Sequence, residues 1–173
     1  MQILWGNRMN LPRIAKILEN KNDLIVNEVI LDKATKENQI IYGARAYNVQ
    51  SPTYLKKKTI DYDILSKKPK RSALEIAETL TRRLGKKVSV VKGTHKGTYR
   101  VKIDNEVIAD YTQMKFKPKT KKVWGTQVRS LKSIKRNAVR LSNRKQTEFR
   151  KEKDLDTLSR IQEIERIDRV FNI

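Results

Sequence analysis

Three aspartates are the residues whose type and spacing suit catalysis. Asp61 and Asp63 stand with one residue between them in the apolar run 59–65, and Asp110 ends the apolar run 107–109. At a frayed strand end, the first two carboxylates can swing onto one divalent cation, and the third can reach it from a neighbouring strand. Carboxylates suit hard cations such as Mg²⁺ or Mn²⁺. The pattern therefore predicts a metal site for phosphoryl-transfer chemistry.

That chemistry assigns a role to each acid. Phosphoryl transfer from a nucleoside triphosphate needs positioning and charge neutralisation, which two metal ions about 3.5–4 Å apart supply. We expect Asp61 and Asp63 to hold the metal that binds the triphosphate, and all three acids to hold the metal that activates an acceptor hydroxyl. Asp110 is also a candidate to deprotonate that hydroxyl. The alternative is structural, because aspartates often end strands and begin turns.

Helical and extended patterns precede the acids. The apolar spacing after Pro12 predicts a long or broken helix to about Asn38. The run 39–42 reads as a buried strand that turns at Gly43 into a short helical stretch, 44–48. The second strand, 60–65, would then carry the paired aspartates.

A helix and a group of strands follow. Ser72 with Glu75 three residues later forms a capping-box signature, and Gly85 ends the apolar period of that helix. Residues 88–109 then show three short extended runs separated by turn residues, which predicts an antiparallel meander. The chain is thus expected to be α+β (α/β-like), with a mixed sheet of about five strands, a crossover helix, an N-terminal helix and two C-terminal helices.

Charge indicates the class of partner. The 173 residues contain 40 Lys and Arg against 19 Asp and Glu, a formal net charge of +21. Such an excess favours a polyanion, and the absence of a long apolar segment favours nucleic acid over a membrane. No cysteine is present, which excludes disulfides, a thiol nucleophile and a thiolate zinc site. Without a secretion signal in view, we expect a cytoplasmic (host cell) or virion location rather than secretion.

Basic residues concentrate in two places. Three lysines precede the strand that carries the paired aspartates, and no acid occurs between Tyr111 and Thr147. The first part of that acid-free segment is predicted to be a loop around Pro118, the second a helix from Ser130, and a last helix is expected from about Gln146. The candidate nucleic-acid-binding residues are Lys56, Lys57, Lys58, Lys121, Lys122, Arg129, Lys132, Lys135, Arg136 and Arg140.

Three further side chains have a functional and a structural interpretation. Trp124 and Tyr111 flank the basic segment and would suit base stacking, whereas Trp124 would equally suit packing against the C-terminal helices. His95 lies between two glycines, where an exposed turn is a simpler interpretation than a substrate contact. The sequence leaves both alternatives open.

The order of these motifs resembles a known group of proteins. The runs Ile41-Tyr42-Gly43-Ala44-Arg45-Ala46, Thr59-Ile60-Asp61-Tyr62-Asp63-Ile64 and Ala109-Asp110 are similar to the polymerase-beta-type nucleotidyltransferase superfamily, in particular its small viral and phage members. The resemblance covers roughly residues 39–112. The run 149–155, with its Lys-Asp pair, is similar to the helical tail of such proteins, although less specifically.

The resemblance implies an enzyme that transfers a nucleotidyl group from a nucleoside triphosphate to a nucleic-acid or other hydroxyl acceptor, with Mg²⁺ or Mn²⁺ at the three acids. It places the triphosphate at the turn formed by Gly43, Ala44 and Arg45. The family turn is usually Gly-Gly or Gly-Ser, so Ala44 and Arg45 depart from it, and Arg45 could pair with phosphate instead or cap the site. Three segments follow: an N-terminal helical segment (1–38), a nucleotidyltransferase-like core (39–114), and a basic loop with a helical tail (115–173).

Two other functions remain open at this stage. The chain could keep the fold without catalysis and act as a nucleic-acid-binding or virion structural component, in which case binding would depend steeply on salt and need no divalent cation. It could also be a toxin-like or antitoxin-like partner of another protein, which a stable oligomer formed through the two C-terminal helices would favour.

Overall fold

The computed structural model describes residues 11–144 and 147–171, in which helices and strands alternate along the chain. The predicted start of the last helix, near Gln146, lies outside these residues. The elements are helices α1 (Leu11–Lys36), α2 (Gly43–Asn48), α3 (Pro69–Leu84), α4 (Leu131–Ser142) and α5 (Glu148–Phe171), and strands β1 (Ile40–Tyr42), β2 (Tyr62–Ser66), β3 (Val88–Lys92), β4 (Thr98–Ile103), β5 (Glu106–Gln113), β6 (Thr120–Val123) and β7 (Thr126–Arg129).

The described strands form one mixed sheet of seven, in the order β3-β4-β5-β2-β1-β7-β6. Strand β2 runs parallel to β5 and antiparallel to β1, and β1 runs parallel to β7. The α+β class, the crossover helix and the antiparallel meander β3–β4–β5 agree with the predictions. The sheet therefore brings β2 and β5, which are far apart in sequence, side by side.

The main core lies on one face of the sheet, under α1 and α3. Its largest side chains come from α1, α3 and the central strands, including Ile30, Ile64, Leu80 and Tyr111, all of which are fully buried. The alternation of buried and half-buried residues along β2 shows that this strand presents Tyr62, Ile64 and Ser66 to the core. The intervening residues of β2 point to the opposite face.

A second, smaller cluster joins the C-terminal helices to the rest. Tyr47 of α2 packs with Ile161 and Ile164 of α5, and Leu131 and Ile134 of α4 complete the contact. Helix α4 begins where the sequence predicts, because the Ser130 hydroxyl accepts a hydrogen bond from the Ser133 backbone N–H at 3.3 Å.

Two sequence interpretations need correction. The segment predicted as a loop around Pro118 also contains β6 and β7, which raises the strand count from about five to seven. Ser72 does not cap α3, because the helix begins at Pro69. Ser72 is buried instead, and its hydroxyl bonds with Ser66 at 2.9 Å and accepts from Gln39 at 2.9 Å. Gly85 does end α3, in a left-handed conformation with φ +64°.

Candidate active site

The three predicted acids converge on the sheet face opposite the main core. Asp63 is the second residue of β2 and lies between the core residues Tyr62 and Ile64, so its side chain points away from the core. In the parallel register of β2 and β5, Asp63 lies directly beside Asp110. Asp61 immediately precedes β2. Two neighbouring strands therefore supply all three carboxylates.

Asp61 lies in a bend immediately before β2, so it belongs to the end of the strand and not to its regular part. The Thr59 hydroxyl donates a hydrogen bond to the Asp61 carboxylate at 3.3 Å and orients it. Asp61 is thus held beside the start of the strand that carries Asp63.

Electrostatic coupling confirms that the acids are close. Burial, together with the charges of Asp61 and Asp110, raises the pKa of Asp63 from 3.8 to about 6. Within the described part of the chain, no group donates a hydrogen bond to the Asp63 carboxylate. An unsatisfied carboxylate beside two others is an arrangement that a cation would stabilise.

Asp110 differs from its neighbours because it already has a cationic partner. The Arg100 guanidinium of β4 donates two hydrogen bonds to the Asp110 carboxylate, Nε to Oδ1 at 2.8 Å and Nη2 to Oδ2 at 2.7 Å. No group of three or more His, Cys, Asp or Glu side chains among the described residues is arranged as a ready metal site. Arg100 therefore neutralises Asp110 in this arrangement, whereas Asp61 and Asp63 have no such partner among the described residues.

The turn between β1 and α2 lies against these acids. Gly43 has φ +65°, and a Cβ atom built at this position would clash with the Asp63 carboxylate and lie 3.0 Å from its Cγ. Only glycine leaves room for this close approach and accepts the left-handed backbone without strain. The turn predicted to cradle a triphosphate is therefore placed next to the acids, with Ala44 in the first turn of α2.

Arg45 contacts the chain rather than open solvent. Its Nη2 and Nε donate to the backbone carbonyls of Ile60 at 2.8 Å and Asp61 at 3.2 Å, and its guanidinium stacks 4.2 Å above the Tyr62 ring. The side chain therefore anchors the segment that carries Asp61. A direct contact between Arg45 and phosphate remains a prediction.

The predicted basic residues fall into two groups. Lys57 and Lys135 form ion pairs with α5: Lys57 with Asp156 at 3.0 Å, and Lys135 with Glu165 at 2.7 Å. Both lysines therefore help to attach the C-terminal helix. The exposed members of the predicted set are Lys56, Lys58, Lys121, Lys122, Lys132, Arg136 and Arg140.

Arg129, the remaining predicted basic residue, is half-buried at the end of β7. It follows Val128, which pairs with Ile41, so it lies beside Tyr42, and Tyr42 pairs with Asp63. The Arg129 Nε donates to the Ser133 hydroxyl at 3.0 Å. Burial and the nearby Arg140 charge lower the pKa of Arg129.

The two aromatic candidates for base stacking, Tyr111 and Trp124, differ in their exposure to solvent. Tyr111 is fully buried in the main core, so its suggested stacking role is wrong. Trp124 is 90% exposed in the turn before β7, which excludes packing against the C-terminal helices. Because β7 runs parallel to β1, this turn lies at the opposite end of the sheet from Gly43. His95 is exposed in the β3–β4 turn.

Two basic residues of α5 approach the acids, and sequence reasoning does not assign them to the site. The positive charges of Lys153 and Arg150 lower the pKa of Asp63, against the larger raising effects. Arg150 also lies 3.6 Å from Asp154 on its own helix. The resemblance of the run 149–155 to a helical tail was the only signal in the sequence for this position, since the contact spans nearly 90 residues along the chain.

The described helices are too short or too polar to cross a lipid bilayer.

Comparison with known proteins identifies the family. None of the curated proteins matches this chain in sequence. Among solved structures, the Megavirus polyadenylate synthase is similar, with a TM-score of 0.72 and 19% sequence identity over 94% of this chain. This chain covers 39% of that protein, and the match shows that the two share a fold.

A family model described as "Poly(A) polymerase catalytic subunit" matches residues 28–148. The predicted resemblance to viral nucleotidyltransferases of the polymerase-beta type is confirmed by the two matches together. The match begins in α1 and ends at the start of α5, so it includes Gly43 and all three acids. Because it spans more than half of the sequence, the chain belongs to the poly(A) polymerase catalytic subunit family.

Proposed function

We propose that this chain transfers a nucleoside monophosphate from a nucleoside triphosphate to the 3′-hydroxyl of an RNA strand. A bond forms between the acceptor oxygen and the α-phosphorus, the bond from the α-phosphorus to the departing pyrophosphate breaks, and the acceptor hydroxyl loses its proton. The acceptor class is proposed from the family description and from the charge of +21, which suits a polyanion. We propose ATP as the first nucleotide to test for the same reason.

The convergence of three carboxylates is the observation that carries this proposal. Asp63 and Asp110 lie side by side on β2 and β5, and Asp61 shares their face of the sheet. Burial and the charges of Asp61 and Asp110 raise the pKa of Asp63 to about 6, so ionised Asp63 destabilises the protein unless a ligand compensates its charge. A purely structural role would not require three neighbouring acids on the face opposite the core.

The acids fit a divalent cation by their chemistry. Hard cations such as Mg²⁺ and Mn²⁺ prefer carboxylate oxygens, and Asp61 and Asp63 have oxygens that Arg100 does not occupy. We propose these two acids as the first ligands and Asp110 as the third after it leaves Arg100. When bound, the cation would neutralise phosphate charge and lower the pKa of the acceptor hydroxyl.

Basic residues on α5 complete the proposed nucleotide site. Lys153 and Arg150 approach the acid cluster from the helix, while the Gly43 turn approaches Asp63 from β1. Phosphate oxygens between these groups would meet cationic side chains on one side and backbone N–H groups on the other. We therefore propose Lys153 and Arg150 as triphosphate ligands, together with the turn at Gly43 and Ala44.

A transfer assay tests the proposal. Each α-labelled nucleoside triphosphate is incubated with the protein and Mg²⁺ or Mn²⁺, and label is measured in RNA, in DNA ends and in the protein itself. We expect RNA to be labelled, and Asp61→Asn and Asp63→Asn to reduce the rate by at least about a hundredfold, the scale of losing a group that stabilises transition-state charge. Asp104→Asn is the matched control, because Asp104 lies in the β4–β5 turn and is exposed.

Unchanged transfer in the Asp61→Asn and Asp63→Asn variants would refute the assignment of the site.

One observation favours a second function: Arg100 already neutralises Asp110, as it would in a member of the family that only binds nucleic acid. Such a protein would bind RNA with a steep dependence on salt, without divalent cations and without labelling any acceptor. Association with a virion or another protein, and a location in the host cytoplasm or virion, also remain predictions.

A further inference from the structure

Arg129 is a half-buried cation without an acidic partner. Its Nε donates to the neutral Ser133 hydroxyl at 3.0 Å, and within the described residues no carboxylate lies within ion-pair distance of its guanidinium. Arg100, on the other side of the acids, instead has a bidentate partner in Asp110. Burial of a charge is costly when no opposite charge compensates it. A ligand that brings a negative charge to Arg129 would remove that cost.

Arg140 adds a second positive charge at the same place. It is exposed on α4, its Nη2 donates to the neutral side chain of Asn137 at 2.9 Å, and its charge acts on Arg129. Ser133, Asn137 and Arg140 are spaced by four and three residues, so they lie along one face of α4, above the end of β7. Two guanidinium groups whose charges act on each other, and whose hydrogen-bond partners among the described residues are neutral, form an anion-binding arrangement.

The position of this pair indicates which anion it would meet. Arg129, Tyr42, Asp63 and Asp110 lie in one row across β7, β1, β2 and β5. Neighbouring strands are about 4.8 Å apart, so the backbone of Arg129 is about 10 Å from that of Asp63. The Arg129–Arg140 pair therefore lies beside the acids rather than among them, on the side away from Arg100. A strand that places its 3′ end at the acids could extend past Tyr42 towards α4.

Arg129 and Arg140 belong to the predicted nucleic-acid-binding residues, and we infer for these two a specific role that rests on the proposed function: they bind backbone phosphates near the 3′ end of a single-stranded RNA acceptor. The guanidinium fork suits phosphate oxygens because it donates two parallel hydrogen bonds. The subsite contacts the phosphodiester and not the base, so it binds the end of an RNA strand whatever the RNA sequence is. Tyr42, between the arginines and the acids, marks the path of the terminal nucleotide.

The first experiment measures binding without catalysis. A labelled single-stranded oligoadenylate is titrated with the protein in a chelator, without triphosphate, at several salt concentrations. We expect Arg129→Gln and Arg140→Gln each to weaken binding by about tenfold, the scale of a charge-assisted hydrogen bond, and to lower the salt slope by about 0.7 per lost phosphate contact. The control is Arg82→Gln on α3, because Arg82 is exposed and lies outside the predicted nucleic-acid-binding set. Equal losses in all three variants would overturn the subsite.

The second experiment locates the phosphate. Oligoadenylates are made in which one linkage at a time carries an uncharged methylphosphonate. The wild-type protein should lose affinity when a linkage near the 3′ end is neutralised, and Arg140→Gln should show no further loss at that same linkage. Losses that simply add at every linkage would refute the assignment. An oligodeoxyadenylate that shows the same coupling supports recognition of phosphate alone.

Two checks keep these outcomes interpretable. Arg140 is exposed, so its substitution tests the subsite even when Arg129→Gln disturbs folding, and Arg129→Lys should recover part of the affinity. Transfer of label by wild-type protein, combined with unchanged affinity of Arg140→Gln, refutes the subsite alone. A different outcome is that Arg140→Gln causes no further loss at the neutralised linkage, but the protein transfers no label. That result refutes the proposed catalysis and keeps the subsite as a nucleic-acid contact.

Discussion

Asp63 lies half-buried beside two other carboxylates, and each of them opposes its ionisation. The folded protein therefore binds a proton at Asp63 more tightly than the unfolded chain does, with a pKa of about 6 in place of 3.8. Where the native state binds more protons than the unfolded state, the free energy of unfolding falls as the pH rises. Stability contributed by protonated Asp63 is present below pH 4 and is lost between about pH 4 and pH 6.

Replacement of Asp63 by Asn should remove the decrease in the free energy of unfolding that Asp63 causes between about pH 4 and pH 6. In a chelator at pH 8, we expect Asp63→Asn to raise the free energy of unfolding by about 2 kcal/mol, after an allowance for partial solvent exposure, and to equal wild type near pH 4. Urea unfolding at several pH values measures the difference. The exposed Asp104→Asn control should leave the profile unchanged, and a wild-type profile that does not fall between pH 4 and pH 6 would contradict the electrostatic coupling.

The β1–α2 turn is the element that makes the acid cluster compact. Gly43 and Gly85 both adopt left-handed backbone conformations, with φ +65° and +64°. Their surroundings differ, because a Cβ at Gly43 would clash with the Asp63 carboxylate whereas a Cβ at Gly85 would meet no atom within 4 Å. Substitution of the two glycines by alanine therefore distinguishes the free-energy cost of the left-handed backbone from the free-energy cost of the steric clash.

This pair gives a prediction for the turn. Gly85→Ala should destabilise the protein by about 1 kcal/mol, the conformational cost alone, while Gly43→Ala should cost roughly 2–4 kcal/mol because Asp63 must also move. Unfolding midpoints of both variants measure the costs. Transfer activity should survive in folded Gly85→Ala and fall in folded Gly43→Ala. Equal destabilisation by the two substitutions would show that the Asp63 side chain can move away from the added Cβ atom without strain.

Much of the candidate site can be predicted from the sequence because its residues lie in or next to single strands and turns, which have recognisable local patterns. Asp63 lies in β2, Asp61 immediately precedes that strand and Gly43 immediately follows β1, so strand patterns and turn chemistry are sufficient to find them. Strands β6 and β7 are harder to predict, since each has four residues and β6 is half lysine. Lys153 and Arg150 reach the acids only through tertiary packing of α5, which no periodicity in the sequence specifies.

At the scale of the whole molecule, α5 joins the nucleotide site to a small separate core. Ile161 and Ile164 pack against Tyr47, while Lys57 pairs with Asp156 and donates to the Thr157 hydroxyl at 2.6 Å. These contacts fix the helix that presents Lys153 to the acids. The proposed triphosphate-binding side of the site therefore depends on a core that lies apart from the main one.

Weakening of that core should affect nucleotide binding at a distance. We expect Ile161→Ala to lower the free energy of unfolding by about 2–4 kcal/mol, and to weaken triphosphate binding in the folded protein because α5 is held less firmly. Calorimetric titration with ATP and chemical unfolding measure the two effects. Phe149→Ala on the same helix is the control, because Phe149 is 75% exposed. Unchanged nucleotide affinity in Ile161→Ala would separate α5 from the site.

Within the described residues, β3 and β6 lie at the two ends of the sheet and each has one unpaired edge. Exposed strand edges are templates for pairing with another copy of a protein, and lysines on an edge discourage such pairing. Lys87 precedes β3 and Lys92 ends it, while Lys121 and Lys122 occupy the middle of β6, and all four are exposed. These four lysines are therefore suited to oppose aggregation through the sheet edges. The basic surface left for the proposed RNA contact is correspondingly smaller than the net charge of +21 suggests.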